Sequence, residues 1–244
     1  MNKAEAVARL KNDEDYYGEF GRQYLSNSNV DSLLNNPLVF NDQPEQTAAF
    51  LVGGYLHTAI LEPHKLDKYN IIESSSRNTK AYKEMSGGEL CLLQHEVDKI
   101  GLMKQRIMDN QVCAQLIRIG SVEYEVPNIA KIGSNMWKGK ADVLNHDDKM
   151  IVDIKSTGNI SAFRSSAYRY NYDSQAYIYS ELFPGYSFIF LVVDKNTLQL
   201  GLYNCSEAFL QSGMDKVETA NFNYDLFFKL GGADPSQFLT TVTL

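Results

Sequence analysis

Gly139-Lys140-Ala141-Asp142-Val143-Leu144, followed after the polar turn His146-Asp147-Asp148-Lys149 by Ile151-Val152-Asp153-Ile154-Lys155-Ser156-Thr157, decides how this chain is read. In both halves apolar residues surround the charges, which makes sense if the charges sit at the mouth of a buried sheet. Side chains alternate along a strand, so Ile151, Asp153 and Lys155 face one side while Val152 and Ile154 face the other. Asp153 and Lys155 are then neighbours about 7 Å apart on one face. The polar turn predicts a short hairpin, so the strand carrying Asp142 pairs antiparallel with the strand carrying Asp153.

Two converging carboxylates suit a hard divalent cation such as Mg²⁺ or Mn²⁺, which prefers oxygen ligands and can activate a water. A lysine beside them can orient or deprotonate that water, or neutralise charge on a phosphate in its transition state. The spacing D-x10-D-x-K therefore points to metal-dependent phosphodiester hydrolysis. Asp153 and Lys155 alone also fit an ordinary ion pair on an edge strand. Further positions add to the picture. Gln175 and Tyr179, in Gln175-Ala176-Tyr177-Ile178-Tyr179, lie four apart on one helix face. They suit a phosphate or sugar contact that reads no bases, or they cover a helix surface together with Tyr172. His57 sits in the apolar run Phe50 to Leu61, which Pro63 ends. So apolar a helix is buried, and Gly53-Gly54 weakens it in exchange for a close approach. A histidine there is either a hydrogen-bonded core residue or a neutral imidazole completing a carboxylate site. Val122-Glu123-Tyr124-Glu125-Val126 offers two acids on one strand face, as a metal ligand or as solvent-facing charges.

These elements, in this order, resemble the RecE-type and lambda-exonuclease-type branch of the PD-(D/E)XK nuclease superfamily, from about Asn27 to about Asp194. In that resemblance Asp142 stands for the first acid, and Asp153 with Lys155 for the E/D-x-K half. Gln175 to Tyr179 matches a Q-x-x-x-Y element. Gly53-Gly54-Tyr55-Leu56-His57, running into Ile60-Leu61-Glu62-Pro63, looks like the family's N-terminal helix with its metal-site histidine. The family carries a third acid near the start of the preceding strand, which selects Glu123 over Glu125. The implied site is His57, Glu123, Asp142, Asp153 and the Ile154 carbonyl around Mg²⁺ or Mn²⁺, as two ions, with Lys155 beside them. Gln175 and Tyr179 place the scissile strand. Arg77, Lys80, Lys138, Lys140, Arg164 and Arg169 surround these elements in sequence and are expected to line a basic groove.

The implied fold class is α/β: a restriction-endonuclease-like core with a mixed central sheet flanked by helices, and an N-terminal helical extension. The implied activity is an exonuclease that degrades one strand from the ends of double-stranded DNA, 5′ to 3′. A ring-shaped homo-oligomer, a phage or prophage origin and a single-strand annealing protein as recombination partner follow from the same resemblance. A structure-selective or restriction-like endonuclease, and a non-catalytic DNA-binding scaffold, are the alternatives.

Composition bounds this reading. A chain of 244 residues, 44% hydrophobic, is long enough for one buried α/β domain, and no linker-like tract divides it. We expect a single domain over 1–244, with a helical extension over 1–43, a catalytic core over 44–204 and a C-terminal helix and tail over 205–244. The net charge of −7 is unusual for a nucleic-acid binder and argues against tight DNA binding without metal. Cys91, Cys113 and Cys205 are scattered, which excludes a zinc ribbon and argues against a disulfide framework. They are too few for the four-cysteine iron–sulfur cluster that some related nucleases carry. The start Met-Asn-Lys-Ala-Glu-Ala lacks an apolar signal segment and no membrane-length apolar run occurs, so a cytoplasmic protein is expected.

Along the chain we expect a helix from about Gln46 to Leu61. A long one follows from about Thr79 to Ile117, broken at Gly87-Gly88 and again near Gly101. Strands follow near Gly120 to Val126, Asn135 to Leu144 and Met150 to Ser156. Tyr186 to Val193 reads as a central strand, with Thr197 to Tyr203 as its edge partner. Ser206 to Leu230 reads as a helix, and the tail after Gly231-Gly232 as mobile or partner-binding.

Overall fold

The computed structural model describes residues 1–42, 46–229 and 232–239. In chain order the helices are α1 (Lys3–Arg9), α2 (Asp13–Tyr17), α3 (Asn27–Asn35), α4 (Ala48–Leu61), α5 (Lys80–Ser86), α6 (Gln94–Asp109), α7 (Gln111–Arg118), α8 (Phe163–Arg169), α9 (Tyr172–Leu182) and α10 (Glu207–Tyr224). The strands are β1 (Ile71–Ile72), β2 (Leu92–Leu93), β3 (Val122–Ile132), β4 (Asn135–Asn145), β5 (Met150–Thr157), β6 (Ser187–Asp194) and β7 (Leu200–Asn204). A five-stranded sheet runs in the order β3-β4-β5-β6-β7, and β1 and β2 form a small parallel pair outside it.

The sheet is mixed for a physical reason. Short turns join β3 to β4, β4 to β5 and β6 to β7, and each of those pairs is antiparallel. The passage from β5 to β6 runs through α8 and α9, and only such a crossover lets two consecutive strands lie parallel. β6 is apolar at nearly every position because both its faces are covered. Phe188, Phe190 and Val192 join the cluster beneath α9 and α10, while Ile189, Leu191 and Val193 join the one beneath α4, α6 and α7. The result is helices, sheet, helices in three layers.

α4 starts where the Thr47 hydroxyl accepts the Phe50 amide at 3.2 Å and ends before Pro63, which disfavours helix at Glu62. Leu51, Tyr55, Leu56, Ala59, Ile60 and Leu61 pack into the sheet from one side. This carries His57 to the sheet.

Several boundaries differ from the sequence expectation. The long helix over 79–117 is three helices with β2 between them. α6 runs through Gly101, whose missing Cβ faces open space, and the break falls at Asn110. There the Asn110 side chain accepts the Cys113 amide at 3.1 Å and starts α7. β3 continues well beyond Val126 to Ile132, tolerating Pro127 because β3 is an edge strand. The last helix closes at Tyr224 and gives way to a π-turn over Asp225–Lys229. Of the C-terminal tail, residues 230, 231 and 240–244 lie outside the described residues, as do residues 43–45 between the extension and α4.

The N-terminal segment is woven into the core. Leu25 bridges to Trp137 of β4, Val30 and Leu33 of α3 are fully buried with α9 and α10, and Ala6, Leu10, Tyr16 and Phe20 pack with Ile129 of β3. Among the described residues no helix is long and apolar enough to cross a membrane, and Cys91, Cys113 and Cys205 are free thiols.

Candidate active site

The site begins at a fork in the sheet. β4 and β5 pair only through Val143–Val152, Leu144–Ile151 and Asn145–Met150, after which they separate. At the fork the Asp142 carboxylate accepts the Ile154 amide at 2.8 Å, supplying the acceptor that the missing ladder leaves out. Its same oxygen lies 3.1 Å from His57 Nδ1, which α4 delivers from above. The Asp142 carboxyl is 8% exposed as a residue; burial alone pushes its pKa up, but the His57 ring and the Ile154 amide outweigh that and hold it below the usual carboxylate range. Burial likewise works against the imidazolium, yet Asp142 prevails and raises His57 to about 9.

Asp153 sits on the other branch of the fork, 2% exposed. Its Oδ1 accepts the Gln175 carboxamide at 2.5 Å. Its Oδ2 is paired with the Lys155 ammonium at 2.7 Å. Burial chiefly, and then the Asp142 charge, push the Asp153 carboxyl up. For Lys155, burial disfavours the ammonium, but Asp153 and Asp142 reverse this and hold it above the ordinary lysine value, so it carries its charge. The Tyr172 ring lies 4.8 Å from that ammonium.

The third acid of the cluster is Glu125. The expected residue was Glu123, and the structure turns it elsewhere: Glu123 bonds His146 Nε2 at 2.7 Å and its side chain is 57% exposed. One backbone angle separates them. Glu125 has φ 51°, in the left-handed region that a glutamate rarely adopts. Tyr124 packs on the α4 side and Val126 on the α9 side, so strand alternation slips at Glu125. β4 slips at the matching place, since Ala141 packs on the α9 side and Val143 on the α4 side. His57, Glu125 and Asp142 thereby present ligand atoms that all lie within 4.8 Å of one another. Burial first, then the Asp142 charge, raise Glu125 to about 7. Two clustered acids and one imidazole, with Asp153 on the adjoining strand, are a donor set that fits a hard divalent cation.

Several residues expected to meet DNA are engaged otherwise. The Tyr179 hydroxyl accepts the Lys140 amide at 3.1 Å and donates to the Lys140 carbonyl at 2.9 Å, so it clamps α9 to β4. Gly139 permits this, because a Cβ there would stand 2.9 Å from the Tyr179 ring and 2.6 Å from Leu182. Gln175 is also buried and holds Asp153. The Lys140 ammonium binds Asp13 at 2.7 Å and lies 3.6 Å from Glu125, while the buried Lys138 bonds the Tyr16 carbonyl. Burial first, then its neighbours Lys140 and Arg22, lower Lys138 to about 8. Arg77 forks onto Glu96 at 2.8 and 2.6 Å, fixing the start of α6. Lys80, Arg164 and Arg169 remain exposed, Lys80 beside Glu84 at 3.6 Å. The expected basic groove thus loses Arg77, Lys138 and Lys140.

Asp13 and Tyr17 are at the rim without having been anticipated. Asp13 joins Lys140 to Lys65 at 3.0 Å, and Lys65 also binds Glu62 at 2.7 Å. The Tyr17 ring is 5.1 Å from the Lys140 ammonium. A five-residue helix with no periodicity carries no sequence signal of where it docks. Glu125, by contrast, had one. The Ile132–Asn135 pair flanks a two-residue hairpin, and counting an equal distance back along both strands sets Glu125 opposite Asp142.

Comparison with solved structures places a candidate exonuclease from Eubacterium rectale beside this chain, with a TM-score of 0.63 at 15% identity, covering 96% of this chain and 95% of that one. A phage-related exonuclease from Haemophilus somnus 129PT matches with a TM-score of 0.35 at 15% identity, over 83% of this chain and 93% of that one. No curated protein matches. The model of the "PDDEXK-like domain of unknown function (DUF3799)" matches residues 35–227. That span includes α4, the forked strands and α9, and the chain therefore belongs to this PDDEXK-like family and has the α/β fold of the PD-(D/E)XK nuclease superfamily.

Proposed function

We propose that this protein is a divalent-metal-dependent deoxyribonuclease that hydrolyses one strand of duplex DNA from its ends. The observation that carries the proposal is the fork itself, where His57, Glu125 and Asp142 cluster and Asp153, with the Lys155 ammonium against it, lies on the adjoining strand. These four side chains and the Ile154 carbonyl are the groups that would hold Mg²⁺ or Mn²⁺, in one or two ions. When bound, such a cation lowers the pKa of a nearby water and offsets charge on phosphate oxygens.

The remaining work falls to the chain's own residues. Lys155, kept charged by its neighbours, donates to the attacking water or to the phosphate oxygen on which charge develops. Gln175 fixes the rotation of Asp153, and the Ile154 amide and His57 fix that of Asp142, so neither carboxylate must reorganise during reaction. Of the cations expected to meet DNA, Arg164, Arg169 and Lys80 remain exposed and available to the phosphate backbone.

Action at ends draws support from the Eubacterium rectale structure of similar fold, itself described as a candidate exonuclease. A 5′ to 3′ polarity, a ring-shaped homo-oligomer, a cytoplasmic setting and an annealing-protein partner in phage-type recombination belong to the same proposal. The test is to incubate the protein with linear and with covalently closed circular duplex DNA, with and without Mg²⁺. We expect Mg²⁺-dependent loss of the linear form only. Circles consumed as fast as linear DNA overturn the end requirement, and no digestion in Mg²⁺ or Mn²⁺ overturns the nuclease.

A further inference from the structure

We propose that Tyr170 and Arg169 form a stacking platform for an unpaired nucleotide next to the reacting phosphate, so that the strand enters or leaves the site single-stranded. The proposal rests on the nuclease reading and specifies the form in which the substrate meets the site.

A continuous path of cations and rings leads from Lys155 to solvent. The Lys155 ammonium lies 4.8 Å from the Tyr172 ring, and Tyr172 and Tyr170 have centroids 6.0 Å apart, tilted by 44°. Arg169 places its guanidinium 4.8 Å over the Tyr170 ring and donates to the Tyr170 hydroxyl at 3.0 Å. Tyr170 is 56% exposed. One exposed tyrosine is ordinary on a protein surface. Its mounting is not. Between the two rings Asn171 adopts the left-handed conformation, φ 55° and ψ 38°. Three elements hold it there. Lys216 of α10 donates to Asn171 Oδ1 at 2.8 Å, Asn27 of α3 to the Asn171 carbonyl at 3.1 Å, and Ser174 of α9 to the same carbonyl at 2.9 Å. Lys216 also binds the Tyr168 carbonyl and the fully buried Asp173, each at 2.8 Å, and Ser212 donates to Asp173 at 2.7 Å.

Burying a carboxylate with an ammonium is expensive and gives little net stability over an apolar core. Here the network converges on one unfavourable turn and fixes the direction of Tyr170 and Tyr172. Such over-determined strain is typical of sites that position something. What the ladder fits is a nucleotide: a base stacks on an open ring whatever its identity, and a guanidinium on that ring meets the adjoining phosphate. Bases inside a duplex have both faces covered by their neighbours, and only the terminal pair has an open outer face, so any base behind the end nucleotide that stacks on Tyr170 has left the helix.

The test uses single-stranded oligothymidylate of about ten nucleotides carrying one 2-aminopurine, whose fluorescence falls on stacking, titrated onto the protein in Ca²⁺. The 2-aminopurine is moved position by position. We expect quenching at one position. Tyr170→Ala and Tyr170→Leu should each weaken binding roughly tenfold and abolish that quenching, while Tyr170→Phe keeps both. Arg169→Ala should weaken binding and reduce its salt dependence by about one counterion. Quenching absent at every position on the wild type, or unchanged in folded Tyr170→Leu, overturns the platform. Digestion of linear duplex in Mg²⁺ is measured in parallel. Digestion without quenching sinks the platform alone, and the loss of both sinks the nuclease as well.

Discussion

A backbone φ of 51° at Glu125 brings its carboxylate across from Asp142, to within 4.8 Å of both Asp142 and His57. A left-handed glutamate costs on the order of 1–3 kcal/mol, which a solvent-facing acid has no reason to incur. Glu125→Gln should therefore lower cleavage by about 100-fold or more, while Glu123→Gln, which loses only its contact with His146, should stay within about twofold of wild type. The reverse ranking in a single-turnover assay would reassign the third acid. Lys155→Ala separates chemistry from assembly in the same way. It removes the cation at 2.7 Å from Asp153 but replaces none of the four side chains proposed to hold the metal, so cleavage should fall about 100-fold or more while calorimetry still detects Mn²⁺. Full residual cleavage would contradict the role given to Lys155. At this scale Asp142, Asp153 and Lys155 were legible because alternation and a short turn are local rules. Glu125 escaped because its alternation slips, and only the hairpin register recovers it.

At the scale of elements, α9 is the strut that keeps the fork open. β5 has left β4 by Lys140, whose N–H and C=O point away from β3, on the side where Met136 and Lys138 bond Leu25. The Tyr179 hydroxyl takes up both backbone groups of Lys140. Tyr179→Phe leaves those two groups in a buried place without partners and should cost about 1–3 kcal/mol in urea unfolding. Because the phenol faces the strand, affinity for single-stranded DNA should not change. A weaker affinity at unaltered stability would restore the expected DNA contact. Gly139→Ala should destabilise by a similar amount, its Cβ falling 2.6 Å from Leu182. The sequence shows the helical pairing of Gln175 with Tyr179, but not that a phenol replaces a strand partner. That function depends on where β5 diverges, a property of the sheet and not of either segment.

For the molecule as a whole, the net charge of −7 leaves few cations for DNA, and several lysines near the site are engaged within the chain instead. Lys65 and Lys140 meet at Asp13, and Lys138 holds the Tyr16 carbonyl, so these cations fasten α2 to the edge of the site. The clasp has a pH signature. Burial favours the neutral carboxyl of Asp13, but hydrogen bonds from Lys140 and then Lys65 overcome it and hold the pKa at about 2. An acid depressed on folding contributes stability that is fully present above its unfolded value, near 4, and is lost as pH falls toward the folded value. The difference in thermal midpoint between wild type and Asp13→Asn should thus be constant above about pH 5 and shrink between about pH 4 and pH 2. Other carboxylates that titrate in that window are common to both proteins and cancel in the difference. A gap that does not narrow in this range would mean that the Asp13 charge contributes nothing to the docking of α2, and that packing of Tyr16 and Phe20 against β3 holds the extension in place.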